Sequence, residues 1–303
     1  MIDFLIDGVS VSADENESIV KAAERHGITI PVLCGASEYR DCASCMICAV
    51  YDRCYERFLP ACSSVSKAGM DLESCSERVI DYRRTVLELM LGEHAGDCLA
   101  PCRRVCPARF DIPSLLEGKQ VQGTPPCETC PAPCEKACRQ KLLSGSSVAI
   151  RKFVMSHASP GEVLPPDQGY SHTLKIDVKK LKESPPPADA NGCLHCQCAA
   201  TDTCQLRKLA SALKPDRKRF EGKFSRENTI FSGGMLFYEP GKCILCGRCT
   251  GHFEEQKNPA ALCLSGRGVR MRVSNPLTLS MTECLSRCDE AVTKICPTGA
   301  LHL

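Results

Sequence analysis

The chain has no tryptophan, six tyrosines and nine phenylalanines, so only 5% of its 303 residues are aromatic. So few aromatics beside so much sulfur point to a protein organised around inorganic centres. A charge bias is also missing: the formal net charge is +2 with thiols neutral, which makes no electrostatic case for nucleic acid. No stretch approaches the roughly 18–20 apolar residues of a membrane helix, so membrane insertion is not expected. The first residues, MIDFLIDGVSVSADENESIV, lack a basic n-region and a long apolar h-region, and a cytoplasmic location is expected. There is no G-x-G-x-x-G, no Walker A and no serine or cysteine triad signature. Gly233-Gly234 and Gly266-Arg267-Gly268 read as turns. Catalytic residues and a flavin are therefore not expected on this chain.

What is abundant is cysteine, twenty-five in all, mostly in C-x2-C and C-x3-C runs. In a reducing compartment such runs read as metal sites rather than a disulfide framework. A cluster held by four thiolates carries roughly −2 when oxidised, so about five of them would make the loaded protein acidic.

Along the chain, FLIDGVSVS reads as two short alternating strands around the hairpin signal Asp7-Gly8. An amphipathic helix from Glu17 to His26 follows, closed by Gly27, and leads into the first cysteines. This order predicts a β-grasp arrangement over 1–76. ERVIDYRRTVLELMLGE predicts a helix with Val79, Ile80, Val86, Leu87, Met90 and Leu91 on one face. It opens a helical domain over 77–157. A linker over 158–190 contains Ser184-Pro185-Pro186-Pro187, which favours extended geometry, and 191–303 is a last cysteine-rich unit.

The first motif is Cys34-x10-Cys45-x2-Cys48-x13-Cys62. A [2Fe–2S] unit needs four thiolates, three from one loop and one from a later turn, and the x10 gap departs from the plant-type spacing. Cys42 is in register with Cys45 and Cys48, so the set with Cys42 and Cys45 stays open, as does zinc. IDGVSVS, GITIPVLC and CASCMICAV resemble, in order and spacing, the N-terminal region of the large iron–sulfur subunit of respiratory complex I and its hydrogenase-diaphorase relatives. The resemblance implies a [2Fe–2S] cluster on Cys34, Cys45, Cys48 and Cys62.

The second constellation is His94-x3-Cys98-x3-Cys102-x3-Cys106-Pro107 with Cys127-x2-Cys130-x3-Cys134-x3-Cys138. On a helix, x3 spacing puts thiols one turn apart on one face. CLAPCRRVCPARFDIPSLL and CPAPCEKACRQ…SSVAIRKF are similar to the helical two-cluster domain of dihydropyrimidine dehydrogenase and the glutamate synthase small subunit. That family's crossover implies Cys98, Cys102 and Cys138 in one cubane and Cys106, Cys130 and Cys134 in the other. Its polar ligand position falls on Val154 here, which cannot ligate iron, and Cys127 is the substitute. His94 is the candidate fourth ligand of the first cubane, because HxxxC also resembles the histidine-ligated cluster of the complex I subunit. The alternative is a solvent-facing histidine at a helix end.

The third motif is Cys193-x2-Cys196-x-Cys198-x5-Cys204. It resembles the context of that same histidine-ligated cubane. Asp189 stands where the histidine is expected, Cys198 is the better fourth ligand, and His195 is read as a bystander; a zinc knuckle is the alternative. The fourth is Cys243-x2-Cys246-x2-Cys249, closed by Cys296-Pro297. Phe253 occupies the x3-C position of two-cluster bacterial ferredoxins, so a single cubane is the economical reading. The complex I subunit shows the same pattern with a closing CP-x-GAL. Six cysteines remain, Cys42, Cys54, Cys75, Cys263, Cys284 and Cys288, and read as small buried hydrophobes or free thiols. The cations of 207–226 (Arg207, Lys208, Lys214, Arg217, Lys218, Arg219, Lys223 and Arg226) read as a solvated loop or a docking surface for an acidic partner.

The expected fold class is α+β and multi-module: a β-grasp [2Fe–2S] ferredoxin-like domain, a helical two-[4Fe–4S] domain and a C-terminal ferredoxin-like [4Fe–4S] domain. The expected cofactors are one [2Fe–2S] and about four [4Fe–4S] clusters. The resemblance implies an electron-transfer subunit working with a flavoprotein NAD(P)H-binding subunit and further oxidoreductase subunits, with ferredoxin as another candidate partner. A catalytic protein with an open substrate-binding cluster and a zinc-rich adaptor are the alternatives.

Overall fold

The computed structural model describes residues 1–35, 43–95, 98–161, 169–170, 178–183, 188–189, 191–220, 229–258, 262–276 and 278–303. Cys42 and the prolines at 185–187 lie outside them. The chain divides into two compact units, Met1–His94 with Thr203–Leu303, and Ala95–Asp202.

The first unit starts with β1 (Ile2–Ile6) and β2 (Val9–Ala13), antiparallel with Ile6 opposite Val9. Alternation buries Phe4, Ile6, Val11 and Ala13 on one face. Asp7 and Gly8 both have positive φ, 51° and 80°, the backbone a two-residue hairpin turn of matching twist requires. The Asp7 carboxylate accepts from the Ser74 amide at 2.8 Å and the Ser74 hydroxyl at 2.5 Å, pinning the turn to the end of the sheet. Helix α1 (Ile19–Arg25) buries Ile19, Ala22 and Ala23 and stops before Gly27 at φ 74°.

β3 (Ala49–Asp52), β4 (Arg57–Pro60) and β5 (Asp71–Glu73) complete a mixed sheet of order β2-β1-β5-β3-β4, with β5 parallel to β1. Cys48 and Cys62 belong to the same core as Phe4, Ile19, Val50 and Leu72. The long helix α2 (Glu77–Glu93), expected to open a middle domain, packs within this unit instead. Its buried Arg83 donates to the Ala49 carbonyl at 2.9 Å. Its Gly92 leaves no room for a side chain: a Cβ there would meet the Phe220 carbonyl at 2.5 Å.

Among its described residues the second unit holds short helices: α3 (Pro101–Val105), α4 (Ile112–Leu116), α5 (Pro133–Lys136), α6 (Gln140–Ser144), α7 (Ile150–His157) and α8 (Val178–Glu183). Helices of four to eight residues do not persist alone, because the nucleation cost is not recovered over so few bonds. A small core of Phe110, Ile112, Leu115, Leu116, Val148, Ile150 and Val154 gathers them, with thiols along its edge.

The first unit resumes with α9 (Gln205–Leu213), β6 (Phe231–Gly233), β7 (Leu236–Tyr238) and α10 (Arg248–Glu255). β8 (Cys263–Ser265) pairs with β9 (Arg272–Ser274); then come α11 (Met281–Ser286), α12 (Ala291–Ile295) and β10 (Leu301–His302). A capping box between Ser280 and Glu283 starts α11. Strands β10, β7 and β6 form a sheet, and Gly233 lets β6 reach α11, where a Cβ would lie 2.2 Å from the Thr282 carbonyl. Part of the basic stretch is structural: Arg219 pairs with Glu88 at 3.0 Å and Arg217 donates to the Leu91 carbonyl, both on α2. Among the described residues no helix is long and apolar enough to cross a membrane.

Candidate metal centres

The loop after α1 and the turn after β4 bring Cys34, Cys45, Cys48 and Cys62 together, all buried. Cys34 accepts from the thiols of Cys45 and Cys62, which holds it below the ordinary thiol value, and Cys48 is lowered by its bond with Cys62. The same bonds, with burial, push Cys45 and Cys62 up. Protein amides add to this: Cys45 N–H reaches the Cys34 sulfur and Ile47 N–H the Cys45 sulfur, each at 3.5 Å. Amides aimed at sulfur stabilise thiolate and raise the potential of a cluster built on it.

That device recurs. Met46, His195 and Leu245 each sit inside a C-x2-C turn with positive φ, 56°, 45° and 56°. The left-handed bend points an amide at the first sulfur of the turn: Ile47 at Cys45, His195 at Cys193, and Leu245 at Cys243 at 3.4 Å.

In the helical unit two thiol-lined cavities stand out. One is lined by Cys106, Cys127, Cys130 and Cys134, with Val154 in its wall. The other is lined by Cys102, Cys138, Cys193 and Cys196. Burial pushes the Cys102 thiol up, and the charges of Cys196, Cys193 and Cys138 push it further. Ile150 lines both cavities. Burial also raises Cys134 to about 11 and Cys193 to about 12.

This grouping differs from the expected one. Cys193 and Cys196, expected beside Cys198 and Cys204, close on Cys102 and Cys138, the places expected for His94 and Cys98. The physical reason is that C-x2-C spacing fixes the local turn but not its partner, which the returning chain chooses. Asp189 helps the return: its carboxylate accepts the amides of Asn191 and Cys193, each at 2.8 Å. His195 lies between Glu117 and Asp189, at 3.5 and 3.6 Å, and its ring nitrogen is within 4.8 Å of the Cys193 sulfur and an Asp189 oxygen. Cys98 and Cys198 are joined through Thr201, whose hydroxyl lies 2.5 Å from one carbonyl and 2.6 Å from the other. His94 is buried after α2, and Cys204 caps α9 with its sulfur accepting from the Arg207 amide at 3.4 Å.

At the C-terminus Cys243, Cys246, Cys249 and Cys296 converge. Burial raises Cys246 to about 12, against the pull of the nearby Arg248 charge. The Thr298 hydroxyl donates to the Lys242 carbonyl at 2.9 Å and lies 3.6 Å from the Cys296 sulfur, tying the closing turn to the opening one. The spare thiols are otherwise engaged: Cys288 donates to the Cys284 carbonyl at 3.1 Å and Cys263 to Ser274 at 3.5 Å, while Cys54 and Cys75 are exposed. Sequence reasoning gave no role to Arg248, Thr201 or Ile150, although Arg248 and Ile150 lie inside the cysteine run and the SSVAIRKF segment.

All-thiol sets with apolar walls and amides aimed at sulfur fit iron–sulfur clusters. The sheet and its four buried thiols define the class of the N-terminal part. Residues 1–77 match the 2Fe-2S iron-sulfur cluster binding domain.

The relatives narrow this. Over 104 residues the chain is 36% identical to NADP-reducing hydrogenase subunit HndD of Solidesulfovibrio fructosivorans, a match covering 33% of this chain and 18% of that one. Over 97 residues it is 31% identical to the mitochondrial NADH-ubiquinone oxidoreductase 78 kDa subunit of Candida albicans, covering 32% and 14%. The chain thus spans less than a fifth of these relatives. Its fold resembles a chain of an NAD+-reducing [NiFe]-hydrogenase crystal structure, with a TM-score of 0.57 over 99% of this chain and 86% of that one at 21% identity. The resemblance to hydrogenase and complex I iron–sulfur subunits therefore holds in sequence for about a third of the chain.

Proposed function

We propose that this chain is an electron-transfer subunit of a multi-subunit NAD(P)H- or ferredoxin-linked oxidoreductase, carrying one [2Fe–2S] and about four [4Fe–4S] clusters. The observation that carries the reading is the sorting of sixteen cysteines into four sets of four, each within one compact unit. The ligand sets are Cys34/Cys45/Cys48/Cys62 for the [2Fe–2S] centre, and Cys106/Cys127/Cys130/Cys134, Cys102/Cys138/Cys193/Cys196 and Cys243/Cys246/Cys249/Cys296 for three cubanes. Cys98 and Cys198, joined through Thr201 in the helical unit, are left to serve a fourth cubane.

The clusters would supply one-electron storage and transfer. The chain's own part is to hold them, exclude water and set their potentials through amides and fixed charges. A flavoprotein NAD(P)H-binding subunit and further oxidoreductase subunits are the partners this role requires, with substrate chemistry and flavin on those chains and a cytoplasmic setting. An open substrate-binding cluster would have to be the one served by Cys98 and Cys198, since each of the other four sets has four sulfurs.

Anaerobic co-purification with bound partners, followed by iron and sulfide analysis and EPR, tests the proposal. About eighteen irons per chain, with one [2Fe–2S] signal, are expected. A colourless preparation holding zinc would overturn it in favour of a zinc-rich adaptor.

A further inference from the structure

Arg248 opens α10 from inside the C-terminal cysteine run, between Cys246 and Cys249. It is 6% exposed. Its Nη2 donates to the carbonyl of Gly35, the residue after Cys34, at 2.7 Å. Its Nη1 reaches the carbonyl of Ile295, the residue before Cys296, at 3.5 Å, and its Nε makes no hydrogen bond. One guanidinium therefore grips the backbone of two separate thiol sets. Both sets belong to the same compact unit.

The charge balance of this residue points further. Guanidinium is protonated at any pH a protein survives, and a buried cation is costly unless a counter-charge stands beside it. No carboxylate among the described residues pairs with Arg248. The neighbouring groups able to become negative are the thiols themselves, and four-thiolate clusters carry about −2 each when oxidised and one unit more when reduced.

Building on the cluster reading above, we propose that Arg248 is a shared fixed counter-charge between the [2Fe–2S] centre of Cys34/Cys45/Cys48/Cys62 and the cubane of Cys243/Cys246/Cys249/Cys296. It holds the two centres as consecutive stations and raises the potential of both. Each reduction adds an electron beside the same positive charge, so both reduced states are favoured. Arg83 makes the natural comparison. It is equally buried and faces the Cys48 side, but it touches only the first set.

The test is a potentiometric titration followed by EPR on the full-length, anaerobically iron-loaded protein and three variants. Arg248→Gln is expected to shift the reduction equilibrium of both centres about tenfold toward the oxidised form, ~59 mV for one electron. Arg248→Lys, which keeps the charge and loses the fork, recovers most of that shift. Arg83→Gln moves the [2Fe–2S] potential and leaves the cubane where it was. Unshifted potentials in Arg248→Gln at normal iron content, or a shift confined to one centre, overturn the proposal. Loss of the [2Fe–2S] iron from both Arg248 variants overturns it too, in favour of a purely scaffolding role. Wild-type protein lacking a [2Fe–2S] signal sinks the cluster reading as a whole, an outcome distinct from intact signals with unmoved potentials.

Discussion

Cys98 and Cys198 stand at opposite ends of the helical unit's sequence, yet their carbonyls meet at one hydroxyl, Thr201 Oγ1, at 2.5 and 2.6 Å. Thr201 is itself only 4% exposed. The hydroxyl shares its one proton between the two carbonyls, the Cys198 carbonyl also accepts from the Thr201 amide at 3.0 Å, and a buried bond of this kind stabilises by about 1 kcal/mol. Here the bond also closes the unit on itself, so its loss reaches both cysteines.

Thr201→Val is expected to lower stability by about 1–2 kcal/mol. It should also deplete about four irons, those of the cubane that includes Cys98 and Cys198. Thr201→Ser keeps the hydroxyl and should keep the iron. Iron content alongside a thermal melt decides it; normal iron in the valine variant would separate the bridge from cluster binding.

The regrouping of thiols makes a prediction about additivity. Residues acting as one unit give non-additive losses, whereas independent sites add. Cys102→Ala and Cys196→Ala should each remove about four irons, and the double variant no more than either, since both line one cavity. Cys102→Ala with Cys106→Ala should remove about eight, because these two thiols line different cavities. Iron and sulfide analysis of the four proteins suffices. Equal losses in both doubles would mean the two cavities share one cluster.

The hairpin at Asp7-Gly8 and the helix stop at Gly27 were legible in the sequence, because each rests on local backbone geometry that few residues permit. The set Cys243/Cys246/Cys249/Cys296 was legible because three members lie on one turn and the fourth precedes a proline. The partners of Cys193 and Cys196 were not legible. An x2 spacing bends the chain in the same way whichever pair it faces, and the pairing is made across intervening residues by the small core of Phe110, Leu116 and Ile150. Arg248 was not legible for a related reason: cysteine spacing says nothing of the residues between the thiols, and only tertiary packing buries it. The x3 runs at 98–106 suggested one continuous helical face. The helix there covers only Pro101–Val105, so Cys98 and Cys106 fall off that face and go to different sets.

Burial raises several candidate ligand thiols in the metal-free protein, Cys134 to about 11 and Cys193 and Cys246 to about 12. A group whose folded pKa lies above its unfolded value stabilises the fold below the unfolded value, about 9 for these thiols, and withdraws that support as pH rises through the folded one. Reduced, metal-free protein should therefore lose stability between about pH 9 and pH 12. Cluster-loaded protein should not, because its thiolates are already deprotonated and bonded to iron. Melting curves of both forms across that range provide the check. Parallel pH profiles would show that proton binding by these thiols does not contribute.

Glu239 anchors the strand end beside the C-terminal set. Its carboxylate accepts from Lys242 Nζ at 2.6 Å and His302 Nε2 at 2.9 Å, linking the residue before Cys243 to the last strand. Burial pushes the carboxyl up, but the His302 bond and the Lys242 charge outweigh it, so the group sits below its ordinary value. The triad's contribution is complete above the unfolded carboxyl value of 4.5 and disappears as pH falls through the lower folded value. Breaking a fully buried pair costs about 3–5 kcal/mol, and partial exposure of Glu239 brings the expected cost of Glu239→Gln to about 2 kcal/mol at neutral pH. Lys242, itself 8% exposed, then loses the carboxylate that accepts from its Nζ. The difference between wild type and Glu239→Gln should shrink below pH 4.5, where the wild-type carboxyl begins to take up its proton. Denaturation of both proteins at pH 7 and in the acid range measures it, and a difference that stays constant with pH would assign the stabilisation to packing rather than charge.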